Sequence, residues 1–188
     1  MSEAGLRGDE ALARLVAWGR GRARPPRRAL DLGGGGHTAL AFAALASLVV
    51  AVDLEAVLPA ARQAVGGGTG NVRFVAGDAG ALPFDNEDFD VVTCRLAAHR
   101  FPQVALAVRE IQRVLVPGGS FLLAERLALD DGEATSMAAG EPPPVRAYRR
   151  REWHAFLRAA GLTVMEEDAI GPGAGTPGRI ILLRAEKD

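Results

Sequence analysis

A run of four glycines follows a short apolar segment that ends in an acid, and this feature constrains the fold more than any other. The stretch reads ALDLGGGGHTAL from Ala29 to Leu40 and continues into an Ala- and Leu-rich segment. Its order predicts a strand, a tight turn and a helix. Glycine lets the backbone turn sharply and lets a ligand approach closely. Amides at the start of the helix would favour a carboxylate or a phosphate, as in nucleotide-like cofactors. A plain glycine-rich loop is the alternative interpretation.

Composition limits the kinds of protein that this chain could be. Its 188 residues, 48% of them apolar and 24% charged, suit one globular domain over residues 1–188. A net charge of −1 provides no field that would attract nucleic acid or a membrane surface. With no long apolar segment and no signal-peptide pattern, we expect a cytoplasmic protein without a membrane span. Lys187 is the only lysine, which excludes Schiff-base and P-loop chemistry.

Apolar runs alternate with amphipathic segments along the chain. An N-terminal helix and a basic linker occupy residues 1–28, and the first strand leads into the glycine turn. The later strands are predicted over 48–53, 72–78, 89–95, 120–125, 162–169 and 178–184, and the helices over 9–19, 39–48, 55–65, 102–116 and 148–160. This alternation predicts a mainly parallel α/β sheet with helices on both faces.

Three further segments complete the predicted organisation. No helix separates the last two strands, so we expect them to pair antiparallel. The segment 126–147, with three consecutive prolines, is predicted to be irregular. The basic segment 20–28 lacks interleaved aromatic residues, so we interpret it as a solvated linker and expect no nucleic-acid partner.

The order of these parts resembles a class I S-adenosylmethionine-dependent methyltransferase. The resemblance covers about residues 29–170 and is closest to the methyltransferase type 11 group, similar to the ubiquinone and menaquinone C-methyltransferases. It is carried by ALDLGGGGHTALA, VVAVDL, NVRFVAGDAGALPFDNEDFDVVTCRLAAHRFP, REIQRVLVPGGSFLLAE and VRAYRRREWHAFLRAAGL. It implies a three-layer, Rossmann-like, seven-stranded sheet with an antiparallel last strand, and a short lid over residues 126–147. It also implies methyl transfer from S-adenosylmethionine to a small-molecule acceptor.

Three acids at successive strand ends suit different groups of this cofactor. Asp31 could reach the ammonium directly or through water, and the amides of Gly33, Gly34 and Gly35 suit the methionyl end. Asp53 suits the ribose diol, because a carboxylate can accept hydrogen bonds from both hydroxyls. Each acid could instead be a solvated loop residue or a helix cap.

The adenine end and the fourth strand supply the remaining predicted contacts. Asp78 suits the adenine amino group, the amide of Ala79 suits the ring, and Leu54 is placed to pack on it. Arg95 is assigned to the same cofactor site, although it could bind an acidic acceptor or cap its loop. His37 stands where the family pattern usually has a third glycine. We therefore expect either a glycine loop one residue short or a histidine that faces the cofactor.

His99 is the candidate catalytic base, because imidazole titrates near neutrality and the stretch after the fourth strand should face the methyl group. A structural or surface histidine is the alternative. Cys94, the only cysteine, excludes an internal disulfide and is more typical of a core residue than of a nucleophile. The spacing of His37, His99 and His154 does not suggest a metal site.

Two other functions compete with catalysis of methyl transfer. A methyltransferase fold that binds the cofactor without turnover could act as a regulatory partner, and the short glycine turn and lid motivate this hypothesis. A nicotinamide dehydrogenase uses a similar glycine turn, but the missing interior lysine and the Asp78 and Pro-Gly-Gly features disfavour it. The sequence leaves open the acceptor, the atom methylated and the oligomeric state.

Overall fold

Seven strands form one sheet in the computed structural model, which describes residues 3–66, 70–128, 146–171 and 179–188. The strands are β1 Arg28–Leu32, β2 Leu48–Asp53, β3 Val72–Ala76, β4 Phe89–Arg95, β5 Leu115–Arg126, β6 Leu162–Ile170 and β7 Ile180–Lys187. Their order across the sheet is β3-β2-β1-β4-β5-β7-β6. The first five strands pair parallel with one another, whereas β7 pairs antiparallel with both β5 and β6. The predicted seven-stranded sheet with an antiparallel last strand is therefore confirmed.

Helices cover both faces of the sheet, as the strand–helix alternation predicts. They are α1 Glu3–Arg20, α2 His37–Ala43, α3 Leu58–Val65, α4 Val104–Val114 and α5 Arg150–Ala159. Buried side chains of α4 and α5 pack on one face, whereas those of α1 and α2 pack on the other. The α3 helix lies against α2 and β3. This gives the three expected layers. None of the described helices is long and apolar enough to cross a membrane.

Several element boundaries differ from the sequence prediction. The first helix begins at Glu3 rather than residue 9, because burial of Ala11, Leu15 and Trp18 stabilises a helix that Gly5 and Gly8 weaken. The second helix ends at Ala43, several residues early. The amides of Leu45 and Ala46 both donate to the carbonyl of Phe42 there, which turns the chain toward β2.

The largest boundary error concerns the Pro-Gly-Gly segment, where the sequence predicts that a helix over 102–116 stops before a strand over 120–125. The α4 helix already ends at Val114, and β5 begins at Leu115 and contains the segment. The pairing of β5 with β4 shifts register there, because Leu115 pairs with Phe89 whereas Ser120 pairs with Val91.

Most of the predicted lid lies outside the described residues, and the single-domain assignment stays a prediction.

Candidate cofactor cleft and the His99–Glu125 pair

The glycine turn connects β1 to α2 in a conformation that depends on its glycines. Gly33 has a φ of +67°, and its amide donates to the carbonyl of Val52 at 2.9 Å. A Cβ at Gly33 would lie 2.8 Å from the Cβ of Ala97, and one at Gly34 would lie 2.6 Å from a carboxylate oxygen of Asp31. A side chain at either position would therefore push the turn away from β4 or from Asp31.

Asp31 lies beneath this turn and is 1% exposed. Its Oδ1 accepts from the hydroxyl of Thr93 at 2.8 Å, and its Oδ2 accepts from the amide of Ala39 at 3.1 Å. Burial raises the pKa of the Asp31 carboxyl to about 6, although both hydrogen bonds and the charge of Arg95 lower it. These contacts join β1, β4 and α2. Asp31 does not line the cleft beside the turn, so its placement supports a role in holding the turn rather than direct contact with an ammonium.

A cleft of about 360 Å³ opens beside the glycine turn at the carboxyl ends of β1, β2 and β3. Five residues that the sequence assigns to the cofactor contribute to its wall: Gly33, Asp53, Leu54, Asp78 and Ala79. They come from three separate strand ends, which the parallel sheet brings to one edge. The other lining residues, which the sequence analysis missed, are Leu32, Val52, Val57, Gly77, Ala97, Arg100, Phe101 and Pro102.

The wall of the cleft combines carboxylates with exposed apolar side chains. Asp53 accepts from the amide of Leu54 at 2.9 Å, and Asp78 accepts from the amide of Gly80 at 2.9 Å. Each bond uses Oδ1, and no hydrogen bond among the described residues engages Oδ2 of either acid. Leu54 is 62% exposed and Val57 is 37% exposed. A ligand with a flat apolar part and hydroxyl or amino donors would satisfy both kinds of surface.

Two arginines five residues apart are placed very differently. The predicted cofactor residue Arg95 lies outside the cleft, where its Nε donates to the hydroxyl of Thr38 at 3.1 Å and its Nη1 donates to the carbonyl of Gly8 at 3.3 Å. Arg100, which was not assigned, lines the cleft and donates from Nη2 to the carbonyl of Gly33 at 3.4 Å. Among the described residues, the cationic side chain that lines the cleft is therefore that of Arg100.

The remaining turn residues also lie outside the cleft. Gly34 and Gly35 are half-buried in the turn, and His37 is exposed as the first residue of α2. Gly36 precedes the helix with a φ of +86°. The expected histidine facing the cofactor is therefore not supported, because His37 does not line the cleft.

His99 pairs with a buried carboxylate next to the cleft. It lies in a 3₁₀ turn over Ala98–Arg100 and is 5% exposed. Its Nδ1 is 2.8 Å from Oε1 of Glu125, and its backbone amide donates to Oε2 of the same side chain at 3.2 Å. His99 does not line the cleft, but Ala97 and Arg100 on either side of it do. The sequence analysis missed Glu125 because it treated this acid only as the end of a strand.

Other candidate groups near the site have structural roles. Cys94 is buried, and burial followed by the charges of Glu125 and Asp31 raises the pKa of its thiol well above its usual value. The thiol therefore stays protonated and acts as a core side chain. His154 pairs with Glu167 on α5 and β6, at 2.7 Å between Nε2 and Oε2. No group of three or more metal-binding side chains occurs within the described ranges.

Comparisons with known proteins agree with this geometry. The chain is 40% identical to the uncharacterized methyltransferase YcgJ of Bacillus subtilis over 151 residues, which are 76% of this chain and 60% of that relative. The chain thus spans about 60% of the length of this curated relative. The crystal structure of the YcgJ protein superposes with a TM-score of 0.78 and 28% identity, covering 95% of this chain and 98% of that one.

A second solved structure contains ligands. The 1,6-didemethyltoxoflavin-N1-methyltransferase of Burkholderia thailandensis, with bound 1,6-didemethyltoxoflavin and S-adenosylhomocysteine, superposes with a TM-score of 0.70 and 26% identity. The superposition covers 96% of this chain and 78% of that chain. The family model described as a methyltransferase domain matches residues 30–123, which include the glycine turn and all three acids of the predicted cofactor site. Because this match spans half of the sequence, the chain belongs to the methyltransferase domain family.

Proposed function

We propose that the protein transfers a methyl group from S-adenosylmethionine to a small-molecule acceptor, in the cytoplasm as the sequence predicts. The observation that carries this proposal is the cleft itself. A cationic side chain, two carboxylates and exposed apolar side chains surround a glycine turn in which a Cβ at Gly33 or Gly34 would overlap its neighbours. This donor set fits the cofactor, and a similar structure at 26% identity contains S-adenosylhomocysteine.

Each part of the cleft suits one part of the cofactor. Arg100 and the glycine turn suit the methionyl carboxylate, and Asp53 suits the ribose diol. Leu54 and Val57 offer an apolar surface for the adenine, whose amino group suits Asp78 beside Ala79. The bound sulfonium supplies an activated methyl group, so that the protein mainly has to orient the acceptor and exclude water.

His99 is proposed as the base for an acceptor that must lose a proton. Its neighbours Ala97 and Arg100 line the cleft, and the amide of Arg146 donates to the carbonyl of His99 at 3.1 Å. The end of the predicted lid segment, at Arg146, therefore lies beside His99. An acceptor held between this segment and the cleft would lie next to the imidazole.

S-adenosylhomocysteine should stabilise the folded protein, whereas NAD should not. A ligand that binds only the native state adds about 2.7 kcal/mol to the unfolding free energy at one hundred times its dissociation constant. Thermal or chemical unfolding with and without each ligand measures this effect. A transition that saturating S-adenosylhomocysteine leaves unchanged would contradict the proposed cofactor. Binding without formation of S-adenosylhomocysteine from S-adenosylmethionine would favour the regulatory alternative.

Asp53→Ala should weaken cofactor binding by about 1.5–3 kcal/mol, the range for a hydrogen bond to a charged group. Asp53→Asn should lose less, because one acceptor oxygen remains. Calorimetric titration with S-adenosylhomocysteine measures both changes. Asp85→Ala, at an exposed acid that does not line the cleft, is the matched control and should bind like the wild type. Equal affinity of Asp53→Ala and the wild type would mean that the ribose binds elsewhere.

A further inference from the structure

Glu125 is a buried acid in a strand of apolar residues. Its side chain is 1% exposed at the end of β5, after the buried run of Phe121 to Ala124. Transferring a carboxylate from water into such a position is costly unless hydrogen bonds compensate for the lost hydration. Three groups provide them: the amide of Arg126 at 2.8 Å, the amide of His99 at 3.2 Å and the Nδ1 of His99 at 2.8 Å. Two of the three belong to His99.

We propose that Glu125 is the positioning residue of His99: it holds the neutral imidazole with its proton on Nδ1, and so keeps Nε2 unprotonated to take a proton from the acceptor. This inference rests on the proposed methyl transfer with His99 as the base. It adds to that role the residue that orients His99, the tautomer of its ring and the nitrogen that takes the proton. Glu125 itself touches neither acceptor nor cofactor in this proposal.

The geometry of the pair restricts both the backbone and the ring of His99. One carboxylate oxygen accepts from the amide of His99, while the other accepts from the ring. Rotation of the ring would break the second bond and leave a buried carboxylate oxygen with fewer donors. The carbonyl of His99 is held as well, by the amide of Arg146. The residue is therefore fixed at three points that belong to two different segments of the chain.

The second ring nitrogen is the one left for chemistry. A carboxylate only accepts hydrogen bonds, so the neutral ring must donate from Nδ1, and Nε2 then carries a lone pair. Nε2 engages no hydrogen-bond partner among the described residues. The two nitrogens point in divergent directions, so Nε2 is directed away from the Glu125 carboxylate. Ala97 and Arg100, two residues before and one residue after His99, place this part of the turn at the edge of the cleft.

The bonds and protons of the step balance. A lone pair of the acceptor atom forms the new bond to the methyl carbon, and the electrons of the carbon–sulfur bond stay on sulfur. The acceptor proton moves to Nε2, which gives an imidazolium beside the Glu125 carboxylate. The opposite charges stabilise this form while the methyl group moves. The proton is later released to solvent, which restores the neutral ring.

The tautomer can be measured directly in the ligand-free protein. The chain has three histidines, so ¹⁵N spectra of the imidazole nitrogens are simple to assign. In spectra of the neutral ring, we expect His99 to carry its proton on Nδ1. His154 serves as an internal reference, because it contacts Glu167 through Nε2 and should report the opposite tautomer. An Nε2–H signature for His99 in the wild type would overturn the proposal.

The kinetic test compares two isosteric changes, each at a glutamate that pairs with a histidine. Glu125→Gln should lower single-turnover methyl transfer about 10–100-fold, by analogy with other groups that orient a reactive side chain. Glu125→Asp should recover part of this loss, because its carboxylate can still accept from Nδ1. Glu167→Gln is the matched control, since its histidine lies on the surface of α5, and it should turn over like the wild type.

The readouts separate this proposal from the proposed function and from a structural role. S-adenosylhomocysteine should bind Glu125→Gln within about twofold of the wild type, as expected for a residue outside the cleft. Wild-type protein that fails to bind this ligand would contradict the proposed function, whereas the tautomer of His99 would still be measurable. Wild-type turnover in a folded Glu125→Gln protein would overturn the positioning role. If that variant does not fold, the wild-type tautomer and Glu125→Asp decide the question.

Discussion

His99→Ala should lower methyl transfer about 10²–10⁴-fold for an acceptor that must lose a proton, the usual contribution of a positioned base. The physical reason is that the proton of the methyl acceptor then has to pass to water, because no side chain is oriented to take it. Affinity for S-adenosylhomocysteine should barely change, because His99 does not line the cleft. Single-turnover transfer to an identified acceptor, measured as a function of pH, tests this expectation.

His99→Gln separates proton transfer from substrate positioning, because glutamine can form hydrogen bonds but cannot take the proton. We expect both variants to lose the dependence of the rate on pH that a base in the mechanism gives to the wild type. His154→Ala is the matched control, since it removes a histidine that pairs with a glutamate on α5. Full activity and an unchanged pH profile in His99→Ala would exclude His99 from the mechanism, leaving orientation and the activated methyl group as the source of the rate.

Two acids of the cleft were predictable because they follow directly from strand ends. Asp53 and Asp78 come after apolar runs, and parallel pairing brings the carboxyl ends of β2 and β3 together. A local pattern was therefore enough to place both acids at one cleft. Asp31 ends an equally apolar run but does not line the cleft. Its side chain lies beneath the turn, on Thr93 and Ala39, and no local pattern distinguishes this direction.

The path of the chain after the fourth strand could not be predicted from the sequence pattern. Arg95 ends the predicted fourth strand and Arg100 lies in the segment after it, but only Arg100 reaches the cleft. Between them Leu96 has a φ of +51°, a conformation that few non-glycine residues adopt, and a 3₁₀ turn follows it. The path of this loop decides which arginine faces the ligand. The contact between His99 and Glu125 spans 26 residues and depends on the pairing of β4 with β5, so composition and spacing could not reveal it.

Asp31→Asn should change how the stability of the ligand-free protein depends on pH. Burial raises the pKa of Asp31 from 3.8 to about 6, so the folded state holds this proton more tightly than the unfolded state. Stability contributed by the neutral carboxyl is complete below about pH 3.8 and is lost as the pH rises through about 6. At 1.36 kcal/mol per pH unit, the loss amounts to roughly 3 kcal/mol. Asparagine cannot ionise, so the variant should not show this loss.

The measurement is the difference in unfolding free energy between wild type and Asp31→Asn, from denaturant unfolding across pH 3.5 to 7.5, a range of about four units that brackets both values. As the pH rises across this range, the unfolding free energy of the variant should gain roughly 3 kcal/mol relative to that of the wild type. This gain does not depend on how far the two proteins differ at the acid end. Other acids, such as Glu110, whose pKa the side chain of Arg113 lowers, titrate in both proteins, so their effects cancel in the difference.

Thr93→Val removes the hydrogen bond that lowers the pKa of Asp31. The stability of this variant should therefore continue to fall up to a higher pH than that of the wild type. Parallel pH profiles for wild type and Asp31→Asn would mean that Asp31 ionises in the folded protein as easily as in the unfolded chain. In that case the hydrogen bonds of Asp31 and the charge of Arg95 would stabilise its anion enough to cancel the effect of burial on its pKa.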